Sequence, residues 1–350
     1  DLKSIAAARD CAERAFEAYR RILGTPPAEI DRIVDAMARA IEPEAARLGA
    51  LAVGLGRYLA AAYPAARAVF DEVDEALGEK LSALIAEGPV ETLTLTANAQ
   101  PALMATSLAA MRALEAEGFG IDRAAFVAGH SLGEYSALCA AGAFSVADAA
   151  RLLRLRGEAM QAATPPGVGA MAAVLGLGLD AVREVAEEAA QGEVCQAAND
   201  NDPGQVVISG HKAAVERAAE IAKAKGAKRA VMLPVSAPFH CALMQPAADA
   251  MAEALASSTI IAPAAPVVAN VKAEATRDPE EIRRLLVEQV TGAVRWRESV
   301  AWMAGQGVTE LIEIGAGKTL AGLARRIDRS LTAQAVNTPE DVRKLAQGDA

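Results

Sequence analysis

Ile30, Ile33, Val34, Met37 and Ile41 fall at i, i+3, i+4, i+7 and i+11, an apolar stripe that predicts a helix packed along one face. Helical spacing also runs through residues 9–20, and Thr25-Pro26-Pro27 separates the two segments. From 54 to 77 the rhythm continues through Tyr58, Leu59, Tyr63, Val69 and Val73. A short segment at 81–85 stops at Gly88-Pro89, and Asn98-Ala99-Gln100-Pro101 reads as a break before a helix over 102–117. Residues 124–128 then form an apolar run typical of a buried strand, and 132–141 reads as a helix with Gly142 suited to its end. Ser145 is placed to cap a helix over 147–163, which Pro165-Pro166-Gly167 terminates.

The rhythm changes after residue 167. Strands are expected at 170–175, 194–198, 205–209 and 229–235, and helices at 179–190 and 213–225. Asn199-Asp200-Asn201-Asp202-Pro203-Gly204 is a strong turn signal between the second and third strands. This β-α-β-β-α-β order is the split ferredoxin-like unit, so a small inserted domain is expected at 167–236. Helices at 244–255, 279–290, 297–304 and 320–327 follow, with strands at 267–271 and 310–314. The expected organisation is a helical segment at 1–53, a large α/β domain from 54–166 and 237–330, the small domain at 167–236, and a polar tail at 331–350 with no assigned element.

Composition narrows the class. Hydrophobic residues make up 53% of the 350 residues, enough for a large core, and the net charge of −10 argues against nonspecific nucleic-acid binding and against anionic membranes. No apolar stretch approaches the ~18 residues of a membrane span, and Asp1-Leu2-Lys3 does not read as a signal peptide. Cys11, Cys139, Cys195 and Cys241 show no C-x-x-C spacing, and histidines number only three; no metal site is expected, and reduced thiols point to the cytoplasm.

Candidate chemistry centres on Gly129-His130-Ser131-Leu132-Gly133, a Gly-x-Ser-x-Gly sequence between the expected strand and helix. That context makes a nucleophile elbow, a sharp turn that projects the serine hydroxyl from the sheet; an incidental Gly-Ser turn is the alternative. A serine hydroxyl needs a neighbouring base. His130 is adjacent and should diverge from Ser131 at a sharp turn, and His211 opens a helix in the small domain. His240 follows a Pro-Phe turn where the chain returns to the large domain and is the favoured base, against a loop histidine with satisfied hydrogen bonds. Arg156 could grip a carboxylate, although a lone mid-helix arginine ordinarily belongs to a solvated face. Gly315-Ala316-Gly317-Lys318 lacks P-loop spacing and reads as a strand-to-helix turn.

Taken in order, Gly129-His130-Ser131-Leu132-Gly133-Glu134-Tyr135-Ser136-Ala137, Arg156-Gly157, Ser236-Ala237-Pro238-Phe239-His240-Cys241-Ala242-Leu243-Met244 and Ile314-Gly315-Ala316-Gly317-Lys318-Thr319-Leu320 resemble the malonyl-CoA:acyl-carrier-protein transacylases, at the family's spacing from about 54 to about 327. The resemblance implies an α/β-hydrolase-like large domain with a ferredoxin-like insertion. It implies transfer of malonyl from malonyl-CoA to the phosphopantetheine thiol of acyl carrier protein in fatty-acid biosynthesis, through a malonyl-serine. Carried over residue by residue, Ser131 is the nucleophile and His240 its base, oriented by the main-chain carbonyl of Gln289. Arg156 binds the malonyl carboxylate, Gln100 matches a pocket glutamine, and the Leu132 amide is one oxyanion donor. Phe239 matches the malonyl-preferring pattern over the methylmalonyl one. No metal or cofactor is implied, and a monomer is expected. An acidic carrier protein would need a local basic surface, for which Lys318, Arg325, Arg326, Lys212, Lys228 and Arg229 are candidates.

The resemblance stops before Gly54. The family opens with a buried strand and a Pro-Gly-Gln-Gly-Ser-Gln loop that gives the second oxyanion donor, whereas residues 44–53 here read as the end of a helix. Residues 1–53 instead resemble the leading helical segment of CoA-acylating aldehyde dehydrogenases, without any catalytic motif. Loss of one donor would slow turnover about 10²- to 10³-fold. Two alternatives stay open: a serine hydrolase or thioesterase that does not depend on Arg156, and an inactive carrier-protein-binding remnant.

Overall fold

The computed structural model describes residues 56–235 and 237–348; the expectations for residues 1–53, including the replaced loop, lie outside the described residues. A helix over 56–62 leads into Pro64–Leu77, where a proline opens the helix without losing a needed N–H and Gly78 ends it at left-handed dihedrals. This helix and Val146–Ala162 both pack on Thr96–Ala116, the longest helix among those described. The expected break at Pro101 is not a break: Pro101 lies inside Thr96–Ala116. The proline forfeits one hydrogen bond, but the segment is buried at Ala99, Gln100, Pro101 and Ala102, and that packing keeps it helical. Gly157 lets the partner helix approach, since a Cβ there would lie 2.6 Å from Ala97 Cα and from the Thr96 carbonyl oxygen.

A small three-stranded sheet adjoins these helices, with Val127 and Val267 buried in the same core. β1 (Val127–Ala128) pairs in parallel with β6 (Val267–Val268), which pairs antiparallel with β7 (Ala275–Thr276). Both β1 and β6 are shorter than their apolar runs suggest. The Gly133–Ala140 helix follows β1 after the elbow, and Ser145 caps the next helix through the Asp148 amide at 3.0 Å.

Residues 169–233 form a four-stranded antiparallel sheet of order β3-β4-β2-β5, with β2 at Gly169–Leu175, β3 at Cys195–Asp202, β4 at Gln205–His211 and β5 at Arg229–Leu233. The Leu179–Ala190 and Lys212–Ala224 helices bury Val182, Val185, Val215 and Ala218 against it, in a core separate from that of the helices above. The stretch expected as a turn at 199–204 is strand as far as Asp202. Register shifts bulge it, the Asp200 amide donates to the Val294 carbonyl while the Val294 amide donates to the Ala198 carbonyl, and the buried Asp200 and Asp202 pair with Arg297 and Arg326. Only Pro203-Gly204 forms the turn.

The tail also needs correction. Residues 332–336 form β9, parallel to β8 (Glu310–Ile314), and Pro339–Gln347 is a helix with a Thr338/Asp341 capping box. Leu331, Ala333, Val336, Val342 and Leu345 are buried, so a few small apolar residues in a polar stretch suffice to dock it.

Candidate active site

Ser131 occupies the turn between β1 and the Gly133–Ala140 helix at φ +53°, a left-handed conformation that costs a non-glycine residue about 1 kcal/mol. The turn is tight enough that a Cβ on Gly129 would lie 1.9 Å from the Gly133 carbonyl oxygen, which dictates glycine there. Ser131 Oγ points into a cluster drawn from four other segments. His240 Nε2 lies 2.8 Å from it, and Arg156 donates to it at 3.1 Å. Arg156 also donates to Gln100 Oε1 at 2.6 Å and to Gln289 Oε1 at 2.9 Å, while Gln100 Nε2 donates to Thr96 Oγ1 at 2.9 Å. His240 Nδ1 lies 2.8 Å from the Gln289 main-chain carbonyl oxygen. Thus Ser131, His240, Arg156, Gln100 and Gln289, scattered over 190 positions of sequence, meet around one hydroxyl.

A carbonyl can only accept, so His240 carries its proton on Nδ1 and turns an Nε2 lone pair toward Ser131. Burial, reinforced by the charge of Arg156, pushes the imidazole down to about 3, which keeps it neutral and able to accept a proton at neutral pH. Arg156 is 1% exposed, the reverse of the solvated face that its helix position suggests. Burial lowers its pKa, with Tyr135 and Glu134 opposing, but a guanidinium stays charged. Among the described residues its hydrogen-bond acceptors are neutral and it forms no ion pair; its Nε–H is buried without an acceptor. A buried guanidinium without a carboxylate partner has the chemistry to bind an anion.

Leu132 stands at the helix N-terminus next to Ser131, and among the described residues its amide donates no hydrogen bond. Phe239, partly buried next to His240, packs between the main core and a smaller cluster of Met171, Ala198 and Val207 under the four-stranded sheet. His130 diverges as expected, with Nε2 2.9 Å from Asn201 Oδ1 and its ring beside Trp296. His211 precedes its helix and accepts from the Val194 amide through Nδ1 at 2.9 Å.

Two residues of the site escaped the sequence reading. Glu134 is buried, accepts from the Asn270 amide at 2.9 Å and from Gln289 Nε2 at 2.8 Å, and burial pushes its carboxyl up to about 7. Asn270 is fully buried, and its side chain bonds both Gly129 and Ser131. The available signals were slight: a carboxylate directly after the elbow motif, and one asparagine within the apolar run expected as a strand at 267–271.

Burial raises the thiols of Cys139 and Cys195, to about 12 and about 11, which makes them poor nucleophiles. Cys11 lies outside the described residues. Of the basic candidates for a carrier-protein surface, Arg326 pairs with Asp202 at 2.6 Å, Arg325 donates to the Ala333 carbonyl, and Lys212 sits 3.9 Å from Glu216. Lys318 and Lys228 are exposed. Among the described residues no cluster of His, Cys, Asp and Glu is arranged to hold a metal, and no helix is long and apolar enough to cross a membrane.

Residues 49–339 match the acyl transferase domain family. The chain is 50% identical over 291 residues to the malonyl CoA-acyl carrier protein transacylase of Escherichia coli K12, covering 83% of this chain and 94% of that one. It is similar to the crystal structure of acyl-carrier-protein-S-malonyltransferase from Bartonella henselae, at 56% identity and a TM-score of 0.83 over 85% of this chain and 95% of that one. A malonyl-transacylase solved in complex with a type II PKS acyl-carrier protein matches at 44% identity and a TM-score of 0.82, over 85% of this chain and 95% of that one.

Proposed function

The chain belongs to the malonyl CoA-acyl carrier protein transacylases, and from that membership we propose that it transfers malonyl from malonyl-CoA to the phosphopantetheine thiol of acyl carrier protein. The observation that carries the reading is the convergence on Ser131 Oγ of a neutral imidazole at 2.8 Å and, at 3.1 Å, a guanidinium that has no carboxylate partner among the described residues. A base alone would serve any serine hydrolase. A buried cation beside the nucleophile selects an acyl group that carries its own carboxylate.

The fold reading is an α/β-hydrolase-like large domain, 54–166 and 237–330, with a ferredoxin-like insertion at 167–236. The antiparallel order β3-β4-β2-β5 supports the second half of that reading. The strand and helix at 332–347 extend the large domain. A cytoplasmic location is supported by free thiols at Cys139, Cys195 and Cys241.

Ser131 gives its proton to His240 Nε2 as Oγ attacks the thioester carbon of malonyl-CoA. The carbonyl oxygen takes up negative charge toward the Leu132 amide. The C–S bond then breaks, and His240 returns the proton to the CoA sulfur. Arg156, aided by Gln100, holds the malonyl carboxylate, one methylene from the reacting carbonyl, so the clamp fixes the acyl group and selects it together. Phe239 bounds the space beside His240 and disfavours a branched acyl group. In the second half His240 takes the proton of the phosphopantetheine thiol, the thiolate attacks the ester carbon, the C–Oγ bond breaks, and His240 returns the proton to Ser131 Oγ.

The test follows labelled malonyl from malonyl-CoA with and without holo acyl carrier protein. Transfer to carrier protein far faster than release to water is expected. Equal hydrolysis in both arms, unaffected by Arg156→Ala, would make the protein a thioesterase.

A further inference from the structure

We propose that Asn270 is a positioning residue for the Ser131 nucleophile, its side-chain amide continuing the sheet pairing across the elbow; this rests on the reading of Ser131 as the nucleophile. β1 and β6 pair only at Val127↔Val267 and Ala128↔Val268. Beyond that point the chain turns away, and the Gly129 carbonyl and the Ser131 amide lose any strand partner. Asn270, two residues past the end of β6, supplies both. Its Oδ1 accepts from the Ser131 amide at 2.7 Å, and its Nδ2 donates to the Gly129 carbonyl at 2.7 Å. A side-chain amide carries the same donor and acceptor as a peptide group, so it stands in for the missing strand. The assignment of Oδ1 and Nδ2 follows from the partners, since an amide N–H only donates and a carbonyl only accepts.

Asn270 is itself held rigidly. It is 0% exposed, its amide donates to Glu134 Oε2 at 2.9 Å, and its carbonyl accepts from the Arg295 amide at 3.0 Å. On the other side of the serine, Gln289 Nε2 donates to the Ser131 carbonyl at 3.0 Å and to Glu134 Oε2 at 2.8 Å, and lies 3.3 Å from Asn270 Oδ1. Both polar groups of the Ser131 main chain are therefore gripped by side-chain amides, and both residues bond one buried carboxylate, Gln289 through its side chain and Asn270 through its main-chain N–H. This frame holds Ser131 at φ +53° against relaxation, and with it the Oγ–His240 line and the direction of the Leu132 amide. Asn270 bonds the Ser131 main chain and makes no hydrogen bond to Oγ, so its effect passes through Ser131 geometry.

The test measures the rate at which a fluorophosphonate labels Ser131, a reaction that needs the nucleophile but no malonyl recognition, alongside the burst of malonyl-enzyme formation. Asn270→Ala should label about 10- to 100-fold more slowly while reaching full amplitude, with KM for malonyl-CoA held by the intact Arg156 clamp. Asn270→Asp keeps the acceptor but, ionised, has no donor for Gly129; its rate should also fall and recover as the pH is lowered to protonate it. A merely structural residue would change the amplitude or the melting point and leave the rate per labelled site unchanged. An unchanged rate in Asn270→Ala overturns the proposal, and so does loss of all amplitude in both variants, which would make Asn270 a folding residue. A wild type that labels but does not accept malonyl sinks the transfer reading and leaves this test standing.

Discussion

His240 Nδ1 lies 2.8 Å from the main-chain carbonyl oxygen of Gln289, so the group that orients the base is uncharged and belongs to the backbone. No substitution of the Gln289 side chain removes that partner. Without a carboxylate behind it, the imidazole is held by burial and then by Arg156 at about 3, well below 6.5. Acylation of Ser131 by acetyl-CoA, which brings no carboxylate, should therefore show no acid limb near pH 6.5. Arg156→Ala removes a positive charge, so protonating His240 becomes easier and any acid limb moves up in pH while staying below 6.5, because burial is the larger cause. A rapid-quench rate profile against pH checks both statements; a wild-type limb at 6.5 contradicts them.

Glu134 titrates in the opposite sense. Its folded value of about 7 lies above the ordinary 4.5, so between the two the folded protein binds more protons than the unfolded chain. The stability this contributes is fully present below 4.5 and is lost as pH rises through 7. Glu134→Gln cannot ionise and should gain on the wild type across that window. Urea unfolding at a series of pH values reads the difference, and a constant difference would contradict the assignment.

Arg156→Ala should lower kcat/KM for malonyl-CoA by about 10²- to 10³-fold and leave acetyl-CoA nearly unchanged, since a buried charge pair is lost only for the substrate that carries a carboxylate. Arg156→Lys should fall between the two, because one ammonium cannot serve Gln100, Gln289 and a carboxylate with planar geometry. Equal losses for both acyl groups would remove the clamp from the account.

Gly129→Ala should destabilise the fold by about 3 kcal/mol or more. Its Cβ would meet the Gly133 carbonyl group and the Glu134 nitrogen, backbone atoms that cannot give way without opening the elbow. Denaturant unfolding measures this, with Gly133→Ala as a control, since a Cβ there meets nothing within 4 Å.

Asp200 joins the four-stranded unit to the Trp296–Gly305 helix through Arg297, with Nε 2.9 Å from Oδ2 and NH2 2.8 Å from the same oxygen. Asp200 is 2% exposed and burial raises its pKa, with Arg297 opposing. Arg297→Ala strands that carboxylate and should cost about 2–3 kcal/mol. Asp200→Asn together with Arg297→Ala should recover part of the loss, readable by thermal melting.

Much of this was legible from spacing. The elbow between an apolar run and a helix, the Ser145 cap and the β-α-β-β-α-β order all follow from local rules that the packing does not override. Pro101 and Asn199–Asp202 misled because burial and distant arginines decide their conformation, and neither is visible locally. Arg156 looked like a surface residue because helical periodicity does not reveal which face a second helix will cover. Asn270 and Glu134 were silent for a related reason. Each is one polar residue whose partners lie on other segments, and only the fold brings an asparagine at 270 against a turn at 129–131.

The most direct test is peptide mapping by mass spectrometry after brief mixing with malonyl-CoA. A malonyl ester on the Ser131 peptide is expected, absent in Ser131→Ala, stable in buffer and discharged on adding holo acyl carrier protein. An unmodified Ser131 in protein that remains folded, or an adduct that water clears as fast as carrier protein does, would contradict the account.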